Sequence, residues 1–224
     1  MINAAFLAQM ERLLWLYSLP LDERYPVICF DERPCFLIGD TVAALEMKAG
    51  AARREHYEYE KLGSCALLAA IEPLTGRRLA RVFDRRTKRE YALFLKELAA
   101  LYPTAVKIRL VQDNLNTHDL SSFYETFPAE EAFALSQRFE FYQTPKKGSW
   151  LNQIEIEFSA LARQCLSRRI ASKEELEREV LSLVKEREER AVKIEWQFSI
   201  ASARTKLNRH YEAVQAENIK YKRT

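Results

Sequence analysis

Residues 107–114 read KIRLVQDN, an apolar run typical of a buried strand, with Asp113 at its far end. Residues 27–32 read VICFDE, a second β-rich run that ends at Asp31. Ligands of α/β sheets bind at strand ends, so the two acids are predicted to lie at a sheet edge. An Asp in such a position can equally cap a turn or a helix, and these two runs alone leave both interpretations open.

The remaining pattern predicts a mixed sheet flanked by helices, an α/β arrangement compatible with a ribonuclease-H-like domain. In chain order, the predicted elements are a helix at 4–17, a strand at 27–32, a turn at Arg33-Pro34, an extended piece at 35–39, strands at 64–73 and 77–83 joined by a turn at 74–76, a helix at 88–101, the strand at 107–114, helical residues at 120–138 broken at Pro128, a strand at 139–145, and helices at 149–169 and 172–190. Ser149 and Ser172 are the predicted N-caps, with Glu175 completing a capping box.

A third acid belongs to the helix predicted from Ser149. Polar Asn152, Glu155 and Ser159 form a stripe beside apolar residues, so Glu155 could face the sheet edge. Three carboxylates would then converge and could hold hard cations such as Mg²⁺, which prefer oxygen ligands. Glu157 lies on a second polar stripe, and the local pattern does not separate it cleanly from Glu155.

Composition narrows the class of protein. The chain has 224 residues, 48% hydrophobic and 30% charged, which suits a globular α/β domain. Its four cysteines form no CxxC motif, which indicates reduced thiols of a cytosolic protein. With only three histidines, a zinc site is not expected. The five glycines are too far apart for a P-loop or a GxGxxG motif, so no nucleotide cofactor is expected. No apolar run is long enough to span a membrane.

The net charge of +3 is small, but basic residues concentrate between positions 77 and 89. This stretch contains only one acid, Asp84, so its charge is strongly positive. Such a stretch predicts a DNA-binding surface, although an ordinary solvated surface is the alternative. The predicted DNA-binding residues are Arg77, Arg78, Arg81, Arg85, Arg86, Lys88 and Arg89.

Neighbours of the three acids have two readings each. His118 could assist near a scissile phosphate, or belong to a hydrogen-bond network of its loop, which the pattern favours. Asn114 could orient a metal-bound water or shape the turn. Glu32 points away from Asp31 on a strand and is expected to be solvent-facing or ion-paired, and Trp150 is expected to pack.

Three ordered blocks resemble the catalytic blocks of DDE transposases, and most resemble those of bacterial insertion-sequence transposases of the mariner superfamily, the insertion sequence 630 family. The blocks are CFDERP around Asp31, VQDNLNTH around Asp113 and TPKKGSWLNQIEIEFSALARQCL around Glu155. The likeness spans roughly residues 27–211 and includes YEYEKLGS, EPLTGRR and ARTKLNRHY. It selects Glu155 over Glu157 as the third acid.

The resemblance implies a ribonuclease-H-like fold in which Asp31, Asp113 and Glu155 hold two Mg²⁺ or Mn²⁺ ions. It further implies hydrolysis of DNA at element ends and joining of the 3′-hydroxyl to a target. Asn114, His118, Lys147 and Asn152 are the neighbours expected near this site. Element-end and target DNA are the expected partners, a homodimer is allowed, and the location is the bacterial cytoplasm, on the nucleoid when bound.

Two features differ from the family pattern. Members usually begin with a helix-turn-helix region, whereas residues 1–20 are predicted to be a connector helix before a catalytic domain at 21–224, with that region absent. A histidine is expected near position 147, and Lys147 could contact a phosphate but cannot act as a neutral base. The alternatives are a catalytically silent remnant that binds DNA or a partner, and another ribonuclease-H-like nuclease.

Overall fold

A five-stranded mixed sheet organises residues 2–41 and 57–221, the part of the chain that the computed structural model describes. Its strand order is β3-β2-β1-β4-β5. The strands are β1 (Val27–Asp40), β2 (Tyr59–Ile71), β3 (Arg78–Phe83), β4 (Ile108–Gln112) and β5 (Phe139–Gln143). The helices are α1 (Ala4–Tyr17), α2 (Lys88–Ala100), α3 (Ser121–Thr126), α4 (Ala129–Ser136), α5 (Ile154–Gln164), α6 (Lys173–Glu189), α7 (Ile200–Lys206) and α8 (Asn208–Val214), with 3₁₀ turns at Ser149–Leu151 and Ala216–Tyr221.

The sheet has an antiparallel part and a parallel part. The strands β3, β2 and β1 are antiparallel neighbours, and β4 and β5 are parallel to each other. The strand β1 joins the two parts, because it pairs with β2 from Cys29 to Asp40 but with β4 only from Val27 to Cys29. This β1–β4 seam is therefore the shortest ladder in the described sheet.

Helices cover both faces of the sheet, which confirms the predicted ribonuclease-H-like layering. Alternate residues of β1 supply the two cores, because neighbouring strand residues point to opposite faces. Cys29 packs in a core with α1, α5 and α6, whereas Ile28 and Phe30 pack in a core with α2, α3 and α4. All four cysteines are free thiols and buried.

The first strand corrects the prediction around Arg33-Pro34. Instead of a turn between two short strands, β1 runs unbroken through both residues, and Asp31 lies within it rather than at its end. Pro34 is tolerated because β1 pairs only with β2 beyond Cys29, and proline fits a strand whose other edge is unpaired.

The start of α5 also differs from the prediction. The helix begins at Ile154, and Ser149 opens a separate 3₁₀ turn instead of capping α5. Asn152 has extended backbone angles (ψ 115°), which interrupt the helical path between the two elements. Ser172 does cap α6 and accepts a 3.1 Å hydrogen bond from the Glu175 N–H, while the Glu175 carboxylate accepts from Ala171 rather than from Ser172.

The predicted helix at the start of the chain packs on the core through one face. Met10 and Leu13 are among its buried residues, and Glu11 forms an ion pair with Arg204 at 2.8 Å. The Tyr211 hydroxyl donates to the same carboxylate at 2.6 Å, so α1 is bound to both α7 and α8. In the described ranges, no helix is both long and apolar enough to cross a membrane.

Candidate active site

The parallel register between β1 and β4 brings Asp31 and Asp113 together. Cys29 is the partner of Val111, so two residues further along both strands Asp31 comes to the level of Asp113. Neighbouring strands lie about 4.8 Å apart, so continuing this register brings the two acids to the same level just beyond the last β1–β4 pair. Asp113 directly follows β4, as the sequence predicts.

Asn152 docks the start of α5 next to Asp31. Its buried side-chain amide donates a 2.8 Å hydrogen bond to the carbonyl oxygen of Phe30, the residue before Asp31. Its own carbonyl oxygen accepts from the Glu155 N–H at 3.1 Å. The predicted neighbour Asn152 thus fixes the helix turn that carries Glu155.

The charges of Asp113 and Glu155 act on Asp31. Burial, followed by the like charges of Asp113 and Glu155, raises the pKa of Asp31 to about 7, despite its hydrogen bond from the Glu32 N–H. A carboxyl group responds in this way when other carboxylates are close by. Asp31, Asp113 and Glu155 are therefore electrostatic neighbours.

His118 contacts Asp113 directly. Its Nδ1 lies 2.7 Å from Asp113 Oδ1, and the same oxygen accepts from the Leu115 N–H at 3.1 Å. Burial alone would lower the pKa of His118, but the contacts with Asp113 and Glu32 outweigh it and raise the pKa to about 9. In turn, His118 lowers the pKa of Asp113 against the effect of burial.

Glu32 is ion-paired but is not solvent-facing. Its side chain is 3% exposed, with one carboxylate oxygen 3.0 Å from Arg86 Nε and the other 3.8 Å from His118 Nε2. The sequence places Glu32 on the face opposite Asp31, but nothing in its local pattern indicates a link through His118 back to Asp113.

Glu157 and Arg78 form a buried ion pair behind α5. The Arg78 Nε lies 2.9 Å from Glu157, and the two side chains are 1% and 2% exposed. Arg187 binds the same carboxylate at 2.6 Å. The structure therefore removes Arg78 from the predicted DNA-binding set, because its guanidinium is enclosed in the protein.

The other predicted neighbours lie in the loops around this edge. Asn114 donates a 2.5 Å hydrogen bond to the Thr144 carbonyl oxygen, which supports the turn-shaping interpretation. Lys147 is exposed and lies in the turn that the hydrogen bond from the Gly148 N–H to the Pro145 carbonyl closes. Its φ of 63° is left-handed, a conformation that costs a lysine more than a glycine. Trp150 is 47% exposed and contacts Phe198 edge to face.

The basic stretch divides between the two ends of the sheet. Arg85, Arg86 and Arg89 are exposed beyond the end of β3, on the side of the three acids, and Arg86 reaches Glu32. Arg81 pairs with Glu97, and Lys88 pairs with Glu125 at 2.5 Å. Arg77 is exposed at the far end, with its guanidinium 3.3 Å from the Leu101 carbonyl oxygen.

The donor set suits a hard divalent cation. Three carboxylates supply oxygen ligands, and a cation among them would offset both the burial and the like charges that raise the pKa of Asp31. Their oxygens do not form a closed site: within residues 2–41 and 57–221, no cluster of three or more His, Cys, Asp and Glu side chains is arranged to hold a metal ion. The acids fit Mg²⁺ or Mn²⁺ by the chemistry of their oxygen ligands.

The raised pKa of Asp31 predicts a specific pH dependence of stability in metal-free protein. The folded state keeps the Asp31 proton up to about pH 7, whereas the unfolded chain releases it near pH 4, so this residue makes stability fall as pH rises between them. Asp31→Asn removes that loss. In EDTA, the variant should match wild type near pH 4 and melt higher at pH 8.

The matched control is Asp22→Asn, which changes an exposed acid outside the site. Its melting temperature should follow that of wild type across the pH range. A constant difference between Asp31→Asn and wild type from pH 4 to 8 would contradict the pKa assignment.

The chain is similar to known proteins in sequence and in fold. The family model described as DDE superfamily endonuclease matches residues 26–177, more than half of the chain. That range contains all three acids. None of the curated proteins is a significant match.

Two solved structures share the fold. A Mos1 transposase paired-end complex with left transposon end is 12% identical, has a TM-score of 0.53, and is matched over 100% of this chain and 65% of that chain. A mariner Mos1 paired end complex with Mg is also 12% identical, with a TM-score of 0.50 over 97% of this chain and 63% of that chain. The present chain thus spans just under two thirds of each neighbour.

Proposed function

The chain belongs to the DDE superfamily endonucleases, and from this premise we propose that it is the catalytic core of a mariner-superfamily transposase of the insertion sequence 630 type. Its substrate would be the phosphodiester bonds at the ends of a DNA element, and the released 3′-hydroxyl would be joined to target DNA. The observation that carries this proposal is that Asp31 comes level with Asp113 in the β1–β4 register and that its pKa is raised, after burial, by the charges of Asp113 and Glu155.

Each acid has a role in the proposed reaction. Asp31, Asp113 and Glu155 would hold Mg²⁺ or Mn²⁺, which supplies Lewis-acid stabilisation of the attacking and leaving oxygens of a phosphoryl displacement. Asn152 keeps α5, and with it Glu155, against β1. Two fold neighbours support the substrate class, since one is a Mos1 transposase paired-end complex with a left transposon end and the other is a mariner Mos1 paired end complex with Mg.

The exposed arginines beside the acids are proposed to bind the DNA backbone. Arg85 and Arg89 have no ion-pair partner among the described residues, so their charges are available to phosphates. The double variant Arg85→Ala/Arg89→Ala should weaken duplex binding roughly tenfold at low salt. The slope of log affinity against log salt should fall by about 2, which fluorescence anisotropy can measure.

Arg77→Ala is the matched control for that experiment. It removes an exposed arginine of the same basic stretch, but at the opposite end of α2. Its affinity and salt slope should stay at the wild-type values. Equal losses in both variants would contradict the location of the DNA surface beside the acids.

Strand transfer tests the proposed function as a whole. The substrate is a duplex with a pre-cut 3′-hydroxyl end, taken from inverted repeats that flank the gene, together with supercoiled plasmid and Mg²⁺ or Mn²⁺. Both nicking and joining are expected. Nicking without joining would indicate another nuclease of this fold, and DNA binding with neither reaction would indicate a silent remnant.

A further inference from the structure

The buried side chain of His118 lies between Asp113, one of the three acids, and Glu32, a carboxylate on the other face of β1. We propose that His118 is a positioning residue, which holds the Asp113 carboxylate by one oxygen so that the other oxygen is presented to the divalent cation. This inference rests on the proposed function. The positioning role depends on the contacts of His118 with Asp113 and Glu32, and it needs no contact between His118 and DNA.

The imidazole ring is held in one orientation. It stacks on Tyr91 at a centroid distance of 4.8 Å and meets the edge of Phe30 at 5.2 Å. The residue is 4% exposed, and its carbonyl oxygen accepts a 3.1 Å hydrogen bond from the Gln112 side-chain amide. These contacts fix the plane of the ring, in which both nitrogens lie.

Both ring nitrogens face carboxylates. Nδ1 lies 2.7 Å from Asp113, and Nε2 lies 3.8 Å from Glu32. Glu32 is in turn bound by Arg86 at 3.0 Å, and that arginine is 46% exposed. The chain of contacts Arg86–Glu32–His118–Asp113 therefore runs from the surface beside the basic stretch to a proposed metal ligand.

The two carboxylate oxygens of Asp113 have different contacts. Oδ1 lies 2.7 Å from His118 Nδ1 and accepts a hydrogen bond from the Leu115 N–H. Among the described residues, no hydrogen bond reaches Oδ2, so this oxygen is open to serve as a ligand. Residues behind a ligand that fix its orientation commonly contribute ten- to a hundredfold to metal affinity.

Two substitutions separate the contacts of His118. The amide nitrogen of an Asn side chain falls near the position of Nδ1, whereas that of a Gln side chain falls near Nε2. His118→Asn therefore keeps a donor toward Asp113 and loses Glu32, and His118→Gln does the reverse. Both variants lose the same ring packing on Tyr91 and Phe30, so each is the control for the other.

Mn²⁺ affinity of the DNA-free protein is the primary readout, measured by titration calorimetry. We expect His118→Gln to weaken Mn²⁺ binding by about ten- to a hundredfold and His118→Asn by less than about fivefold. In plasmid nicking, raising the Mn²⁺ concentration should return the His118→Gln rate close to that of wild type. A role in packing alone would lower the melting temperature of both variants without separating their affinities.

Glu32→Gln keeps the inference testable if both His118 variants unfold. It leaves the ring and its contact with Asp113 in place and removes the charge opposite Nε2, so Mn²⁺ affinity should fall by a few fold. Unchanged affinity in His118→Gln or, if that variant is unfolded, in Glu32→Gln would overturn the inference. Weaker binding in His118→Asn than in His118→Gln would overturn it as well.

The same measurements separate this inference from the proposed function. Wild-type protein that neither binds Mn²⁺ nor nicks DNA would contradict the proposed function. Wild-type binding and nicking, together with unchanged Mn²⁺ affinity but lost nicking in His118→Gln at saturating metal, would instead place His118 in the chemical step and overturn its positioning role alone.

Discussion

Glu155→Gln is expected to lower the rate of Mn²⁺-dependent plasmid nicking by about a thousandfold or more, with the melting temperature of metal-free protein close to that of wild type. Gln keeps the size and hydrogen-bonding capacity of the side chain and removes the charge that would hold a cation. Glu155 is half-buried in the first turn of α5 and has no ion pair with the described residues, so its loss leaves no buried cation without a partner.

Glu174→Gln is the matched control for this loss. Glu174 also lies in the first turn of a helix, α6, so both substitutions remove the same favourable charge at a helix N-terminus. It is exposed, and its replacement should leave nicking unchanged. An active Glu155→Gln enzyme would show that the third metal ligand is another residue.

Glu157→Gln should have its largest effect on stability, and we expect a loss of about 3–5 kcal/mol in the free energy of unfolding. Its carboxylate binds Arg78 through two contacts of 2.9 and 3.1 Å and Arg187 through two of 2.6 and 3.2 Å. A neutral amide would leave buried guanidinium charge uncompensated. Urea unfolding of the purified variant measures the loss.

The control is Glu186→Gln, which breaks an exposed pair with Arg190 four residues away on α6. Exposed pairs of this spacing contribute about 0.3–0.5 kcal/mol, so little change is expected. A loss below about 1 kcal/mol in Glu157→Gln would contradict the buried network. Nicking by this variant should be compared with wild type at a temperature where it remains folded.

The sequence predicts the acids on the sheet better than it predicts their surroundings. The apolar run before Asp113 and the alternation around Asp31 are local patterns, and they hold because one face of each strand is buried. The end of the first strand could not be predicted, because Pro34 is compatible with either a turn or an unpaired strand edge. Only long-range pairing decides between them, because β1 pairs with β2 through Pro34 while its pairing with β4 stops at Cys29.

Long-range contacts explain what the sequence pattern missed at the candidate site. Local pattern left Glu155 and Glu157 unseparated, and the resemblance to DDE transposases selected Glu155. The structure adds the reason for the difference, because Glu157 is enclosed by arginines from β3 and α6. Similarly, the charge of residues 77–89 is evident in the sequence, but strand alternation and distant partners turn Arg78 inward.

The short β1–β4 seam has a mechanical consequence for the proposed metal site. Asp31 belongs to the antiparallel part of the sheet and Asp113 to the end of the parallel part, and only Val27 to Cys29 connect the two parts by strand pairing. A cation bound by both acids would hold the two parts of the sheet together across the β1–β4 seam. Local opening of one part would then require release of the ion, so occupancy of the site would make the two parts unfold as one cooperative unit.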